Sequence, residues 1–136
     1  MSQAHLDFFS HTENLAAVRT FVRRFLRSEG VPEPESEILV LGVDEACSNI
    51  IRHAYGHTPA QPISLVCERQ GQTLWFRLRD FGSPADPAQF NREPREPGEP
   101  GGLGLQFIER IFEEVRYTPQ TVGTELVLIK QLPCVP

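Results

Sequence analysis

The most informative stretch of this sequence reads Asp44-Glu45-Ala46-Cys47-Ser48-Asn49-Ile50-Ile51-Arg52-His53-Ala54-Tyr55. It forms the second half of a predicted helix that begins after Pro34 and ends near Tyr55, where Gly56 follows. Apolar residues occur almost all round this helix, which is typical of a buried helix. The polar positions 45, 49 and 52 nevertheless share one face, because they lie four and then three residues apart. A buried polar stripe is costly without partners, so the spacing predicts either a ligand site or a set of buried hydrogen bonds.

Magnesium would explain this polar stripe, which we define as Glu45, Asn49 and Arg52, with His53 beside it. The ion prefers oxygen ligands and often takes only one or two from protein, the rest coming from water and phosphate. Asn49 can offer its amide oxygen, and Arg52 or His53 could meet phosphate. Glu45, one turn from Asn49, could accept a proton from a nucleophile.

An earlier segment predicts an amphipathic helix that Asn14 can cap and Gly30 can end. Its apolar positions fall on one face: Leu15, Val18, Val22, Phe25 and Leu26. The other face carries an arginine stripe, composed of Arg19, Arg23 and Arg27 at four-residue steps. This stripe is either a solvated face or a docking surface for an acidic protein partner.

The remaining segments alternate between strand and helix patterns. Strands are predicted at residues 5–10, 63–68, 73–80, 115–118 and 124–131, with a hairpin turn at 70–72. A third helix is predicted from about residue 103 to residue 115. Helices on one face of a mixed, mostly antiparallel sheet give an α+β, two-layer α/β sandwich.

Asp80 ends one of these strands on its apolar side, and Gly82 follows two residues later. A buried carboxylate at a strand end requires a hydrogen-bond donor. The exocyclic amine of adenine would serve, and Gly82 would let the base approach the backbone. Turns use the same residues, so this pair alone is weak evidence for a nucleotide.

Residues 82–102 contain too many prolines for a long helix or a central strand, which predicts a functional or mobile loop. Its end, Gly101-Gly102-Leu103-Gly104-Leu105, precedes a helix, where backbone amides and glycines suit phosphate. A simple hinge before the helix is the alternative. Gly123-Thr124 then opens the final strand.

Length and composition indicate a single domain over residues 1–136 with an ordinary hydrophobic content of 40%. The net charge of -5 argues against a general nucleic-acid binder, which needs a basic footprint. The longest apolar run, residues 38–41, cannot span a bilayer, and the N-terminus predicts no secretion signal. Three cysteines without metal-ligand spacing favour free thiols in the cytoplasm.

The order of these motifs resembles the N box, two glycine boxes and closing threonine of the GHKL ATPase superfamily. The amino-acid sequence of residues 44–55 is similar to the N box of bacterial anti-sigma-factor serine kinases. This resemblance implies a Bergerat-type fold that binds ATP and Mg²⁺ and phosphorylates a small anti-sigma-factor antagonist. A sigma factor is a further implied partner, and a homodimer is also compatible with the family.

The resemblance also implies a role for each matching residue. Glu45 would be the general base and Asn49 the magnesium ligand, with Arg52 and His53 near phosphate. Asp80, Gly82 and Thr124 would belong to the adenine side of the pocket. The lid over the phosphates would contain Gly102, Leu103, Gly104 and Leu105, and Arg19 falls where the family has an arginine on its partner-binding helix. Arg23, in the same arginine stripe, is the second residue that we expect to contact the partner protein. Pro84 departs from the usual Asp-x-Gly-x-Gly pattern, which questions lid closure more than adenine binding.

Two other functions are compatible with the same motifs. A nucleotide-gated binding module would use the same pocket without phosphotransfer, and Glu45 would then only order water around magnesium. Slow ATP hydrolysis without a protein substrate is a third possibility. A histidine kinase also needs a dimerisation segment with a phosphoacceptor histidine, for which we expect no room in 136 residues.

Overall fold

The computed structural model describes residues 2–83 and 103–133, with only the backbone course of residues 103–105. The strands are β1 (Ser2–Phe9), β2 (Pro62–Gln70), β3 (Thr73–Asp80), β4 (Glu114–Pro119) and β5 (Thr124–Gln131). The helices are α1 (Leu15–Ser28), α2 (Glu35–Asn49) and α3 (Leu103–Ile111). A short 3-10 helix at Thr12–Asn14 precedes α1, and a π-helical turn at Ile50–Ala54 continues α2.

The five strands form one sheet in the order β1-β2-β3-β5-β4, and each of the four pairings is antiparallel. The alternating pattern of β3 places Leu74, Phe76, Leu78 and Asp80 on one buried face. Because β3 is the central strand, Asp80 lies at the end of the sheet's middle, between β2 and β5.

The three helices and the buried face of the sheet enclose one hydrophobic core. Helix α2 contacts both α1 and α3. Gly42 permits the close approach at α3, since a Cβ there would lie 2.8 Å from the Phe112 ring and 3.2 Å from Ile111. The predicted α+β two-layer sandwich is confirmed.

The strands predicted at residues 73–80 and 124–131 have the bounds of β3 and β5. The first strand was predicted at residues 5–10 and instead spans Ser2–Phe9, paired along its whole length with β2. The predicted third helix was too long, because it ends at Ile111 rather than near Val115. The Glu113 amide donates to the Ile129 carbonyl, and Val115 pairs with Leu128, so cross-strand bonds replace the last helical turn.

Two further expectations about the helices needed correction. Asn14 does not cap α1 through its side chain, which donates instead to the Phe9 carbonyl at 2.9 Å. The second helix was expected to be regular to Tyr55, yet it widens after Asn49 into the π-helical turn, where the Tyr55 amide donates to Ile50 five residues back. Turns of this kind occur frequently at functional sites.

Within residues 2–83 and 103–133, every helix is too short or too polar to cross a membrane.

Candidate functional site

The polar stripe of α2 is assembled around one guanidinium group. Arg52 Nη2 donates to Glu45 Oε1 at 3.1 Å and, more closely, to Asn49 Oδ1. Asn49 is buried, with 5% of its surface exposed, while Glu45 and Arg52 remain about one-third exposed. The predicted alignment of these three side chains on one face is therefore present. One oxygen of Glu45 and one of Asn49 both accept from the guanidinium of Arg52.

This donor set fits a magnesium-nucleotide complex. One amide oxygen and one carboxylate oxygen already share a positive group, and Mg²⁺ prefers oxygen ligands with few contributed by protein. Arg52 Nε is buried without a hydrogen-bond partner among the described residues, so a guanidinium donor remains for an anionic ligand. Within residues 2–83 and 103–133, no three His, Cys, Asp or Glu side chains cluster as a protein-only metal cage.

His53 lies beside the stripe on the exposed side of the π-helical turn. Partial burial lowers the pKa of His53, and the charges of Arg52 and His57 act in the same direction. A neutral ring is therefore favoured when no anion is bound.

Asp80 is a buried carboxylate at the end of β3, with 3% of its surface exposed. Burial raises the pKa of Asp80, and the Gly82 amide, which donates to Oδ1 at 3.1 Å, partly opposes this effect. Thr124 pairs directly with Asp80 across β3 and β5 and is buried to the same degree. The predicted Asp80–Gly82 motif is thus connected to the predicted Thr124.

Gly82 is required by a protein contact that the sequence did not reveal. A Cβ at this position would lie 2.3 Å from the Ala54 carbonyl oxygen, and the Ser83 amide donates to the same carbonyl at 2.9 Å. The backbone after the polar stripe therefore touches the backbone after Asp80. This contact brings the two predicted halves of the site together.

Gly123 makes a similar approach from the other side. It has a φ of 75°, and a Cβ would lie 2.0 Å from the Asp80 carbonyl oxygen. The Gly123-Thr124 motif thus packs on the Asp80 backbone as well as opening β5.

Two residues at this strand end were not identified from the sequence. Tyr55 Oη accepts from the Phe81 amide at 2.7 Å, and Arg79 Nη2 donates to the Val122 carbonyl at 2.7 Å. A buried tyrosine hydroxyl usually has a hydrogen-bond partner, so a tyrosine at the end of the apolar second helix could have indicated a contact with a neighbouring element. Arg79 offered none, because its pattern is that of an outward-facing strand residue.

The remaining predicted site residues fall at or beyond the limits of the description. Gly102 and most of the predicted lid lie outside the described residues. Leu103, Gly104 and Leu105 begin α3, as the helix N-terminus hypothesis required, and their side chains lie outside the description.

The arginine stripe contacts α2. Arg19 Nη1 lies 3.0 Å from Asp44 Oδ1, and Arg23 forms two hydrogen bonds with Glu37. Hydrogen bonding to Glu37 raises the pKa of Arg23 and lowers that of Glu37. Both arginines remain about one-third exposed, so they link the helices while still presenting charge at the surface.

The sheet, the covering helices and the buried Asp80 are the features of an ATPase domain of the GHKL class. Residues 8–130 match the family described as histidine kinase-like ATPase domain, and the chain belongs to this family. That membership implies ATP as the nucleotide. No curated protein matches the chain.

Solved structures share the fold at low sequence identity. The structure of the RsbU and RsbW domains of Rv1364c from Mycobacterium tuberculosis is 18% identical, with a TM-score of 0.72 over 97% of this chain and 32% of that chain. The blue-light activated histidine kinase EL346 from Erythrobacter litoralis is 18% identical, with a TM-score of 0.59 over 74% of this chain and 31% of that chain. The histidine kinase domain of EL346 is 14% identical, with a TM-score of 0.55 over 89% of this chain and 60% of that chain. This chain spans about a third of the length of the first two.

Proposed function

We propose that this protein is an ATP- and Mg²⁺-dependent serine/threonine protein kinase that acts as an anti-sigma factor and phosphorylates a small antagonist protein. The observation that carries the proposal is the convergence of Glu45 and Asn49 oxygens on one cation, Arg52. Arg52 lies in the π-helical turn after α2, and the last residue of that turn, Ala54, contacts the backbone after Asp80. A base, a metal ligand and an adenine acceptor would then act in one pocket. The similarity of residues 44–55 to the anti-sigma-factor kinases supports the same function.

Each residue has a distinct role in the proposed reaction. Asp80 would accept a hydrogen bond from the exocyclic amine of adenine, and Asn49 would hold Mg²⁺, which when bound would neutralise charge on the phosphates. Glu45 takes the proton from the substrate hydroxyl as that oxygen bonds to the γ-phosphorus. The bond from the γ-phosphorus to the bridging oxygen breaks, and ADP leaves with that oxygen.

The exposed arginine stripe is the proposed partner contact. Arg19 and Arg23 lie on α1 and pair with Asp44 and Glu37 of α2 rather than with Glu45 or Asn49, so a partner could dock on them without replacing a contact of the proposed nucleotide site. The proposed setting is the cytoplasm, with a sigma factor as a second partner and a homodimer as the assembly. A single domain over residues 1–136 remains part of this proposal.

The proposal is tested by incubating the purified protein with Mg²⁺ and γ-labelled ATP, together with small antagonist candidates encoded in neighbouring genes. Label transfer to a serine or threonine of one candidate is the expected result. The rival, a nucleotide-gated binding module, predicts ATP-dependent association with the candidate and no label transfer. Release of labelled phosphate without a labelled protein would indicate simple ATP hydrolysis.

A further inference from the structure

The backbone after Asp80 is held on the helical side of the sheet by Tyr55. The buried Tyr55 hydroxyl accepts from the Phe81 amide at 2.7 Å and donates to the Pro62 carbonyl at 2.6 Å. Burial raises the pKa of Tyr55, so the hydroxyl keeps the proton that it donates. The Tyr55 side chain, just after the π-helical turn, thereby connects this part of the chain to the start of β2 and to the end of β3.

The same backbone is held on the opposite face of the sheet by Arg79. Arg79 Nη1 donates to the Asp80 carbonyl and reaches the Thr124 carbonyl at 3.5 Å, while Nη2 donates to the Val122 carbonyl at 2.7 Å. The guanidinium also lies 4.4 Å from the centre of the Phe81 ring. A planar guanidinium with several donors suits such a set of carbonyls, because it can bind more than one of them in a fixed geometry.

We propose that Tyr55 and Arg79 are positioning residues that hold the Asp80–Gly82 turn from opposite faces of the sheet and thereby set the selectivity of the pocket for adenine. This inference rests on the proposed nucleotide function, since it concerns how Asp80 is presented to the base. Neither residue contacts the nucleotide in this scheme. Their effect passes through the backbone that carries Asp80.

Selectivity is the property that such positioning controls. Adenine offers an amine where guanine offers a carbonyl oxygen, so a carboxylate held in one place favours adenine and rejects guanine. A turn that shifts can let Asp80 move away from either base. ATP and GTP carry the same triphosphate, so the binding energy from the phosphates, which involves the polar stripe at Asn49, is the same for both nucleotides.

The experiment compares the dissociation constants of ATP and GTP, measured by calorimetry with Mg²⁺ on the full chain. We expect Arg79→Ala to weaken ATP binding and to lower the GTP-to-ATP ratio of dissociation constants by about tenfold, the effect of losing one well-aligned polar contact. Tyr55→Phe, which keeps the ring and removes only the hydroxyl, should lower the ratio in the same direction. Arg79→Lys should recover part of the selectivity, because a single cationic nitrogen can still donate to one or two of the carbonyls but lacks the planar fork of the guanidinium.

Arg77→Ala is the matched control. Arg77 lies on the same face of β3, two residues earlier, and contacts Glu68 and the Trp75 ring rather than the backbone after Asp80. Its removal should leave the ratio unchanged, even if thermal stability falls as much as in Arg79→Ala. A merely structural role for Arg79 predicts equal ratios in both variants.

The outcomes separate this inference from the function on which it rests. Wild-type selectivity in both Arg79→Ala and Tyr55→Phe, with ATP binding intact in the wild type, would overturn the positioning role alone. Loss of selectivity in Arg77→Ala to the same extent would also overturn it. A wild-type protein that does not bind ATP would overturn the proposed function and this inference together.

Discussion

Asp80 and Thr124 lie directly opposite each other across β3 and β5, and both side chains are buried where β3 ends and β5 begins. The two residues are 44 positions apart in sequence, yet they share one end of the sheet. The carboxylate consequently sits in a place where water cannot fully hydrate it. Folding raises the free energy of its charged form, which a bound adenine amine would lower again.

Asp80→Asn should increase stability while weakening ATP binding. Burial raises the pKa of Asp80 in the folded protein above its value in the unfolded chain. The free energy of unfolding of the wild type is therefore highest below the unfolded-state pKa and falls as pH rises through the folded-state pKa. The amide carries no charge and escapes this penalty. Chemical denaturation should therefore show a larger advantage of the variant at pH 7 than at pH 4. An equal difference at both pH values would contradict the assigned cause.

Asn49→Ala should remove the magnesium-dependent part of ATP affinity. The loss should be at least the roughly tenfold that follows removal of even an outer-sphere partner of a metal. Calorimetry with Mg²⁺ and with a chelator measures this part directly. Asn49→Asp is the control, because it keeps an oxygen ligand and should retain the magnesium dependence. Normal magnesium-ATP binding by Asn49→Ala would rule out Asn49 as the ligand.

Glu45→Gln should keep ATP and partner binding while phosphotransfer falls by ~10²–10⁴-fold, the usual contribution of a positioned base. The amide preserves the acceptor for Arg52 but cannot take the hydroxyl proton. Single-turnover transfer of labelled phosphate is the measurement. Glu35→Gln, on the same helix and paired with Lys130, serves as the control and should transfer at the wild-type rate. Wild-type transfer by Glu45→Gln would remove Glu45 as the base without affecting the ATP site.

Arg19→Glu should weaken partner binding and leave ATP affinity unchanged. Because Arg19 also pairs with Asp44, the change replaces a partly exposed ion pair with two neighbouring carboxylates, and we expect a loss in unfolding free energy of about 1 kcal/mol. The double variant Arg19→Glu with Asp44→Arg restores the ion pair with reversed charges. It should recover stability but not partner binding. Recovery of partner binding would show that Arg19 acts only through Asp44.

Gly123→Ala should lower the unfolding free energy by about 3 kcal/mol or more, since the added methyl meets the Asp80 carbonyl and φ is positive. Gly71→Ala is the matched control, because Gly71 also has a positive φ but has nothing within 4 Å of the added carbon. It should cost only ~1–2 kcal/mol, the price of a left-handed backbone. Thermal and urea unfolding compare the two variants, and equal losses would contradict the packing argument.

The periodicity of the sequence predicted which segments form helices and strands, and it predicted that Glu45, Asn49 and Arg52 share one face. The alternation of residues 73–80 placed β3 correctly, since this strand has one face in the core. The strand predicted at residues 124–131 also has the bounds of β5, although its residues 126–129 are buried in succession rather than alternately. The end of α3 could not be predicted from periodicity. Phe112 and Val115 continue the apolar spacing of the helix, although the backbone pairs with β5 from Glu114 onward.

The connections within the site could not be predicted by the same reasoning. Tyr55 and Arg79 act through backbone atoms of other elements, and the arginine stripe meets carboxylates on a neighbouring helix. Such contacts depend on how helices and strands pack, which residue spacing along one element does not specify. Residue spacing therefore predicted the shared face of the polar stripe, whereas it did not predict the side chains that contact the backbone after Asp80.

The strand order has a consequence for when this pocket can exist during synthesis. β5 is the furthest described strand along the chain, yet it lies inside the sheet, between β3 and β4. A nascent chain that has emerged only as far as α3 has Asp80 but no Thr124 opposite it, and β3 still has an unpaired edge. Such non-local pairing makes folding wait for sequence-distant contacts. Adenine recognition would therefore appear late on the ribosome, so that only a polypeptide extended beyond Gln131 becomes competent for the nucleotide.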